Sequence, residues 1–434
     1  EQFRQWARDK HESIDAATRL CGTEYADFNA IELPALLNAD ENHPGLLYDW
    51  NRFRTDIETD FFRFLKNRIR AVHPDLDVTL KLMGHLKHFG YPLLNEQTIV
   101  TEAQTLIGTD GSDPMWQDYL KSMKPEAPII NAEWHFLSGG VVENRAVMER
   151  RMFDGIAHGI GFGAIWNFRR KDWDSLSNGA EQSMTRYPVT LDTIGRTTWR
   201  LRAIAAPLGR FANQDGGRIR LLYAINSDLH GGEPYIEGLE AVYRQVARNS
   251  SGVRFLIPAH MTSQSLHGVE LVAAGAASHI AENARTALSD WVQAGGTLWL
   301  TEPGLQRTPY DTPHPSGSAF SRATSTVGSH AVGSGTVIVA AETPALQPFL
   351  DAPWAIDSSG EAVTDVVVRR TSDGQQPAWM YVMNRSDHSR TVRLAGWPGV
   401  KELTDAEDIW GRVRVDLSET IQLAPHQVIL VQLP

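Results

Sequence analysis

The residues best placed for chemistry sit in the stretch APIINAEWHF, residues 127–136, where an apolar run ends on Glu133 with Trp134 and His135 directly after it. A carboxylate at a strand end has two readings: it is a reactive group, or it closes an ion pair with an arginine. Trp166 closes a similar apolar run, GAIW, thirty-odd residues on, and His85 and His88 follow a third, VTLKLM. Flat aromatic rings can serve as platforms for sugars and loop imidazoles can reach sugar hydroxyls, so Trp134, Trp166, His85 and His135 are substrate-binding candidates around Glu133, although buried tryptophan is common, Trp166 taken alone reads as core, and loop histidines are more often merely exposed. The two histidines 85 and 88 are too sparse to hold zinc without further ligands, and no metal is expected.

These groups need elements to hold them. Residues 1–30 have a helical pattern, and from Asp49 an amphipathic helix carries Phe53, Ile57, Phe61, Leu65 and Ile69 every fourth residue until His73-Pro74 stops it. Short strand-type runs follow at 78–83, 104–107, 128–132 and 163–168, with helices expected at about Asn144–His158 and Thr193–Leu208. Strands alternating with helices predict parallel βα units, and in a parallel barrel the chemistry collects at the carboxyl ends of the strands. Glu133 and Trp166 would then be neighbours on that face. Gly159-x-Gly161-x-Gly163 imitates a dinucleotide loop but precedes a strand instead of a helix, so it is read as a turn into the last strand.

A second α/β unit is expected from Arg218: RIRLLYAI, a helix over Pro234–Asn249, VRFLIP, VELVAA, a helix over Ala281–Ala294 closed by Gly295-Gly296, and TLWLTE. Residues 306–335 turn rich in Ser, Thr, Pro and Gly and are read as a linker. The last hundred residues hold short β-type runs and a turn signal at Asp373-Gly374, which predict an antiparallel sandwich. The domain boundaries that follow are 1–212, 213–305 and 336–434.

The whole chain narrows the classes further. At 434 residues it exceeds a single core, so two or three domains are expected. The charge of −11 is spread along the chain without a basic stripe, which argues against nucleic acid, and no apolar run approaches a membrane span. One cysteine, Cys21, excludes a disulfide framework. The chain opens on Glu1 with no methionine and no leader, and is read as not the native start of the gene product. Localisation stays open, with the cytoplasm favoured.

FRQW near the start, LYDWNRFRTDIETDFFRFLKNRIRAVHPDLDVTLKLMG, NAEWHF and AIWNF, in this order and spacing, resemble the clan A glycoside hydrolases and most closely the family 42 β-galactosidases. The resemblance covers nearly the whole chain. It implies the C-terminal half of a (β/α)8 TIM barrel, then a flavodoxin-like trimerisation domain, then a C-terminal β-sandwich. It assigns Glu133 as the nucleophile of a retaining β-glycosidase and Trp166 as the ring flooring the sugar site. The oligosaccharide substrate would be a β-galactoside or a plant or algal oligosaccharide, with water and two carboxylates sufficient, so no cofactor is implied. In the family the acid/base glutamate follows an asparagine on the fourth barrel strand, which falls upstream of residue 1. Glu32, Glu41, Glu96 and Glu102 do not replace it, since none follows an apolar strand with an asparagine before it. The chain is therefore expected to lack its acid/base, to need a companion segment carrying the first barrel half, and to form a homotrimer through its second domain. That domain also resembles amidotransferase folds, but Cys21 lies elsewhere and supplies no nucleophile to it. An agarase or another clan A activity, and a non-catalytic carbohydrate-binding or assembly protein, remain the alternatives.

Overall fold

Proline is tolerated at the first turn of a helix, where its missing amide would have no partner, and Pro44 opens the longest helix among the described residues, α3, Pro44–Val72. In this computed structural model the described residues are 1–31, 43–82, 98–111, 113–138, 141–142, 144–166, 187–214, 217–247, 252–342, 346–349, 353–371, 374 and 377–434. Helices α1, Gln2–Lys10, and α2, Ile14–Cys21, precede α3; the Ser13 hydroxyl caps α2 and Gly22 closes it at φ 70°. Phe3 packs edge-on against Phe53 and Trp50, which ties α1 to α3. The expected apolar stripe of α3 is therefore buried at Phe53, yet Ile57, Phe61, Leu65 and Ile69 on the following turns are exposed among the described residues.

Four parallel extended stretches follow in chain order: residues 78–82, β1 (Ile107–Thr109), β2 (Ile129–His135) and β3 (Ile160–Trp166). β2 lies between β1 and β3, and residues 78–82 run beside β1, where the Leu82 amide donates to Gly108 O and the Asp110 amide to Leu82 O. A Cβ at residue 108 would lie 2.1 Å from Leu80 O, so glycine is what lets the two backbones close. The strand expected at 104–107 is displaced to Ile107–Thr109, because Gln104 spends its side chain instead, accepting from the amides of Leu80 and Gly108. Helices α4 (Pro114–Met123) and α5 (Arg145–Ala157) make the returns; Asn144 caps α5 by accepting from the Ala146 amide. Of the three glycines read as a turn, only Gly159, at φ 113°, turns the chain; Gly161 and Gly163 lie inside β3.

The second unit is a six-stranded sheet in the spatial order Arg254–Leu256, Ile219–Leu222, Leu271–Ala274, Thr297–Leu300, Gly335–Val339, Gly328–Val332. Its parallel strands follow the flavodoxin-like order, and the last strand is antiparallel. The linker reading of 306–335 is corrected here: helix Ala319–Thr324, capped by Ser318, and the edge strand Gly328–Val332 fall within it, and Gly335–Val339 pairs between that strand and Thr297–Leu300 to complete this sheet. Ser and Thr in that stretch cap and pair instead of solvating a linker.

Beyond a two-stranded antiparallel pair after β2, Leu137–Ser138 with Val141–Val142, the remaining strands form two antiparallel sheets. Trp354–Ile356, Arg390–Ala395 and Thr420–Leu423 make the smaller, and Val366–Arg370, Trp379–Asn384, Val428–Gln432, Ala406–Asp408 and Val413–Val415 the larger, with Val368, Val382 and Ile429 in the core they share. The three units meet on buried charges. His158 bonds Asp118 at 2.8 Å, the Tyr243 hydroxyl donates to the same carboxylate, and Arg385 donates to both oxygens of Asp154 at 2.9 and 2.8 Å. Burial alone would raise the Asp154 carboxyl, but Arg385 and His158 outweigh it and hold it well below the usual range. No helix among the described residues is long and apolar enough to cross a membrane.

Candidate active site

Asn131 is fully buried in the middle of β2 and shapes everything after it. Its side-chain amide donates to Gly111 O, and its oxygen accepts from the amide of Glu133. The register with β3 slips at this point, with Asn131 opposite Gly163 but Trp134 opposite Ile165, so β2 carries one extra residue. Such a bulge re-aims the side chain it displaces. Glu133 sits in the bulge at the carboxyl end of the parallel strands, half-buried.

The carboxylate meets a cation that has no counterpart among the expected site residues. Lys81, from the stretch beside β1, donates to Glu133 Oε1 at 2.6 Å and lies 3.4 Å from Asp110 Oδ2, at the end of β1. The hydrogen bond to Glu133, with Asp110 beside it, raises the ammonium above its ordinary value although partial desolvation opposes this. His135 Nε2 stands 3.5 Å from Glu133 Oε2, on the same face of β2. The ammonium occupies the space between Glu133 and Asp110, so these two carboxylates do not flank an open gap. Lys81 was legible only as one polar position in VTLKLM, where Thr79 and Lys81 alternate with Val78, Leu80 and Leu82.

Trp134 is not with them. Alternation turns it to the opposite, helix-facing side of β2, where it is buried; a Cβ on Gly163 would lie 2.4 Å from its ring, and one on Gly155 3.1 Å. The expected contact of Trp134 with substrate is therefore corrected: the ring is core, packed over glycines that make room for it. Trp166 ends β3 opposite His135 in the register, as adjacent strand ends require. His85 and His88 lie outside the described residues. Among the described residues no group of three or more His, Cys, Asp and Glu is gathered as a metal site.

The model of the glycoside hydrolase family 42 β-galactosidases matches residues 1–123. β-Galactosidase BglY of Alicyclobacillus acidocaldarius is 31% identical over 148 residues, which is 33% of this chain and 20% of that protein. β-Galactosidase BgaB of Geobacillus sp. is 25% identical over 325 residues, 68% of this chain and 47% of the relative. The chain thus spans less than half the length of these curated relatives. Among solved structures, the apo exo-carrageenase of family 42 from Bacteroides ovatus superposes with a TM-score of 0.80 at 18% identity, over 99% of this chain and 62% of that one. The β-galactosidase from Bacillus circulans sp. alkalophilus gives 0.78 at 13% identity, over 100% and 76%. The chain is thus similar to the glycoside hydrolases of family 42 in the sequence of its first 123 residues and in its fold.

Proposed function

We propose that this chain is the C-terminal part of a retaining β-glycosidase of the β-galactosidase type, with Glu133 as its nucleophile. The observation that carries this is the bulge in β2, which aims a half-buried carboxylate out of the carboxyl end of a parallel strand array. A retaining enzyme needs one carboxylate to form the glycosyl ester and a second, about 5 Å away, to act as acid and base. Asp110 does not meet the second requirement, because Lys81 fills the interval. The acid/base is assigned to a segment carrying the first half of the barrel. Two features support such a segment: the exposed stripe Ile57, Phe61, Leu65 and Ile69 on α3, and a cavity of 680 Å³ beside β3 lined in part by Trp134, Phe136, Phe162, Ile165 and Leu201. His135 and Trp166 are assigned to the sugar, with β-galactosides or related plant and algal oligosaccharides as the substrate class. The flavodoxin-like unit is assigned to trimer formation, since it carries no cysteine for amidotransferase-type chemistry and closed cyclic assembly gives it a role.

The test is Glu133→Gln in the protein carrying a complete barrel. An amide cannot form the ester, so hydrolysis of a nitrophenyl β-galactoside should be abolished with the fold intact. Near-normal turnover would move the nucleophile elsewhere, and a wild-type protein inactive on a panel of nitrophenyl glycosides would favour a non-catalytic carbohydrate-binding role. Light scattering should give about three chain masses; a monomer at micromolar concentration would remove the trimer.

A further inference from the structure

A carboxylate that becomes an ester and then a carboxylate again changes charge twice, and the ammonium bonded to it must be accommodated both times. Lys81 Nζ is bonded to Glu133 Oε1 at 2.6 Å and stands 3.4 Å from Asp110 Oδ2, close enough to pass from one to the other by rotation about its own side chain. We propose that Lys81 is a positioning residue that moves between Glu133 and Asp110 during turnover and acts mainly on the second half-reaction, by making Glu133 a better leaving group. This rests on Glu133 being the nucleophile.

The charge accounting gives the direction. In the first half, a Glu133 oxygen bonds to the anomeric carbon, the bond from that carbon to the leaving oxygen breaks, and its electron pair departs with that oxygen. Glu133 passes from anion to neutral ester, and the ammonium keeps only Asp110. In the second half, water bonds to the anomeric carbon while a general-base carboxylate takes its proton. The bond to Glu133 breaks and the pair returns to Glu133, which is again an anion beside the ammonium. Pairing with a cation holds back a nucleophile and stabilises a leaving group, so Lys81 opposes ester formation and promotes ester hydrolysis. Asp110 has the complementary part, since it holds the ammonium while Glu133 is esterified. The pair is half-exposed and requires no rearrangement of the backbone.

The experiment uses a dinitrophenyl β-galactoside, whose leaving group needs no proton, and the protein carrying a complete barrel. Lys81→Met should lower kcat by about tenfold and KM by at least as much, because one charge-assisted hydrogen bond is lost from the hydrolysis step, while kcat/KM holds or rises. The glycosyl-enzyme should accumulate and be seen by mass spectrometry as a sugar adduct on Glu133. Lys81→Arg should restore part of kcat by restoring the charge, and Asp110→Asn should reduce the accumulated ester. A fall in kcat/KM with KM unchanged, or equal losses in the Met and Arg variants, would overturn the proposal. The pairing itself is read separately on the 434-residue chain by competitive acylation of its lysines across pH. Glu133→Gln should bring the titration of Lys81 to lower pH, and an unchanged titration would also overturn the proposal. If Glu133→Gln keeps turnover while the Lys81 titration moves, the nucleophile assignment fails and the pairing stands.

Discussion

The hydroxyl of Tyr310 donates to Oδ1 of Asp49 across 2.9 Å, joining the loop after the fourth parallel strand of the flavodoxin-like unit to the second turn of α3. Asp49 is buried and also binds His11 at 2.7 Å and Lys10 at 3.2 Å, with Cys21 Sγ 3.6 Å away. Burial would raise this carboxyl, but His11, Lys10 and Tyr310 together hold it below the ordinary value, while burial followed by Asp49 pushes the Cys21 thiol up to about 12. One carboxylate thus fixes three helices and a neighbouring unit.

Asp49→Ala should cost about 3–5 kcal/mol, because it strands several buried partners at once. Tyr310→Phe removes one bond from a carboxylate that keeps the others and should cost about 1 kcal/mol. Urea unfolding followed by tryptophan fluorescence measures both. Equal costs would mean that Asp49 holds Tyr310 alone.

Arg385 neutralises Asp154 at the junction of the barrel segment and the β-sandwich, and both groups are largely out of water. Arg385→Met leaves that carboxylate without its main partner and should destabilise by about 3–5 kcal/mol, whereas Arg385→Met with Asp154→Leu should recover much of the loss. Thermal unfolding of the single and double variants gives the coupling. A double variant no better than the single one would contradict the pairing as the source.

Acid should loosen the loop that carries Tyr310. His230 and His279 stack at 4.3 Å between ring centroids; His230 donates to Pro309 O and His279 to Asp311, which also binds Arg307. Burial lowers His230, and burial, followed by effects of Asp311 that oppose it and of His230 and Arg307 that add to it, brings His279 down to about 4. Between the ordinary histidine value near 6.5 and about 4, the unfolded chain binds more protons than the folded one, so stability falls as pH falls through that window. The hydrogen-exchange protection factors of residues 305–314, corrected for intrinsic exchange at each pH, should be lower at pH 5 than at pH 7, and His279→Gln should flatten the difference. Protection factors independent of pH over this range would show that the stack does not hold the loop.

Trp134 should matter for stability. Trp134→Ala opens a cavity beneath β2 and should cost about 3–5 kcal/mol. Gly163→Ala drives a methyl against the ring and should cost about 1–3 kcal/mol, relieved when Trp134 is also Leu. Differential scanning calorimetry checks these. A Trp134→Phe variant that keeps its melting temperature but loses substrate affinity would return the ring to the sugar site.

The sequence by itself determined the pieces whose signals are local. Asn144 as the start of α5 and His73-Pro74 as the end of α3 are written in side chains that touch their own backbone neighbours. Alternating strands and helices, with Glu133 at a strand end, were legible for the same reason. What the sequence left open depends on partners far along the chain. Only the fold brings Lys81 to Glu133 across 52 residues and adds Asp110, because side-by-side parallel strands align carboxyl ends that the chain separates by whole helices. The bulge pinned by Asn131 decides where Glu133 points, and the space over Gly155 and Gly163 decides that Trp134 turns the other way. The strands at Gly328–Val332 and Gly335–Val339 were hidden because small polar residues signal loops locally, and pairing with Thr297–Leu300 outweighs that preference. A face, a register and a shared ammonium are relations between elements, so tertiary packing decided them.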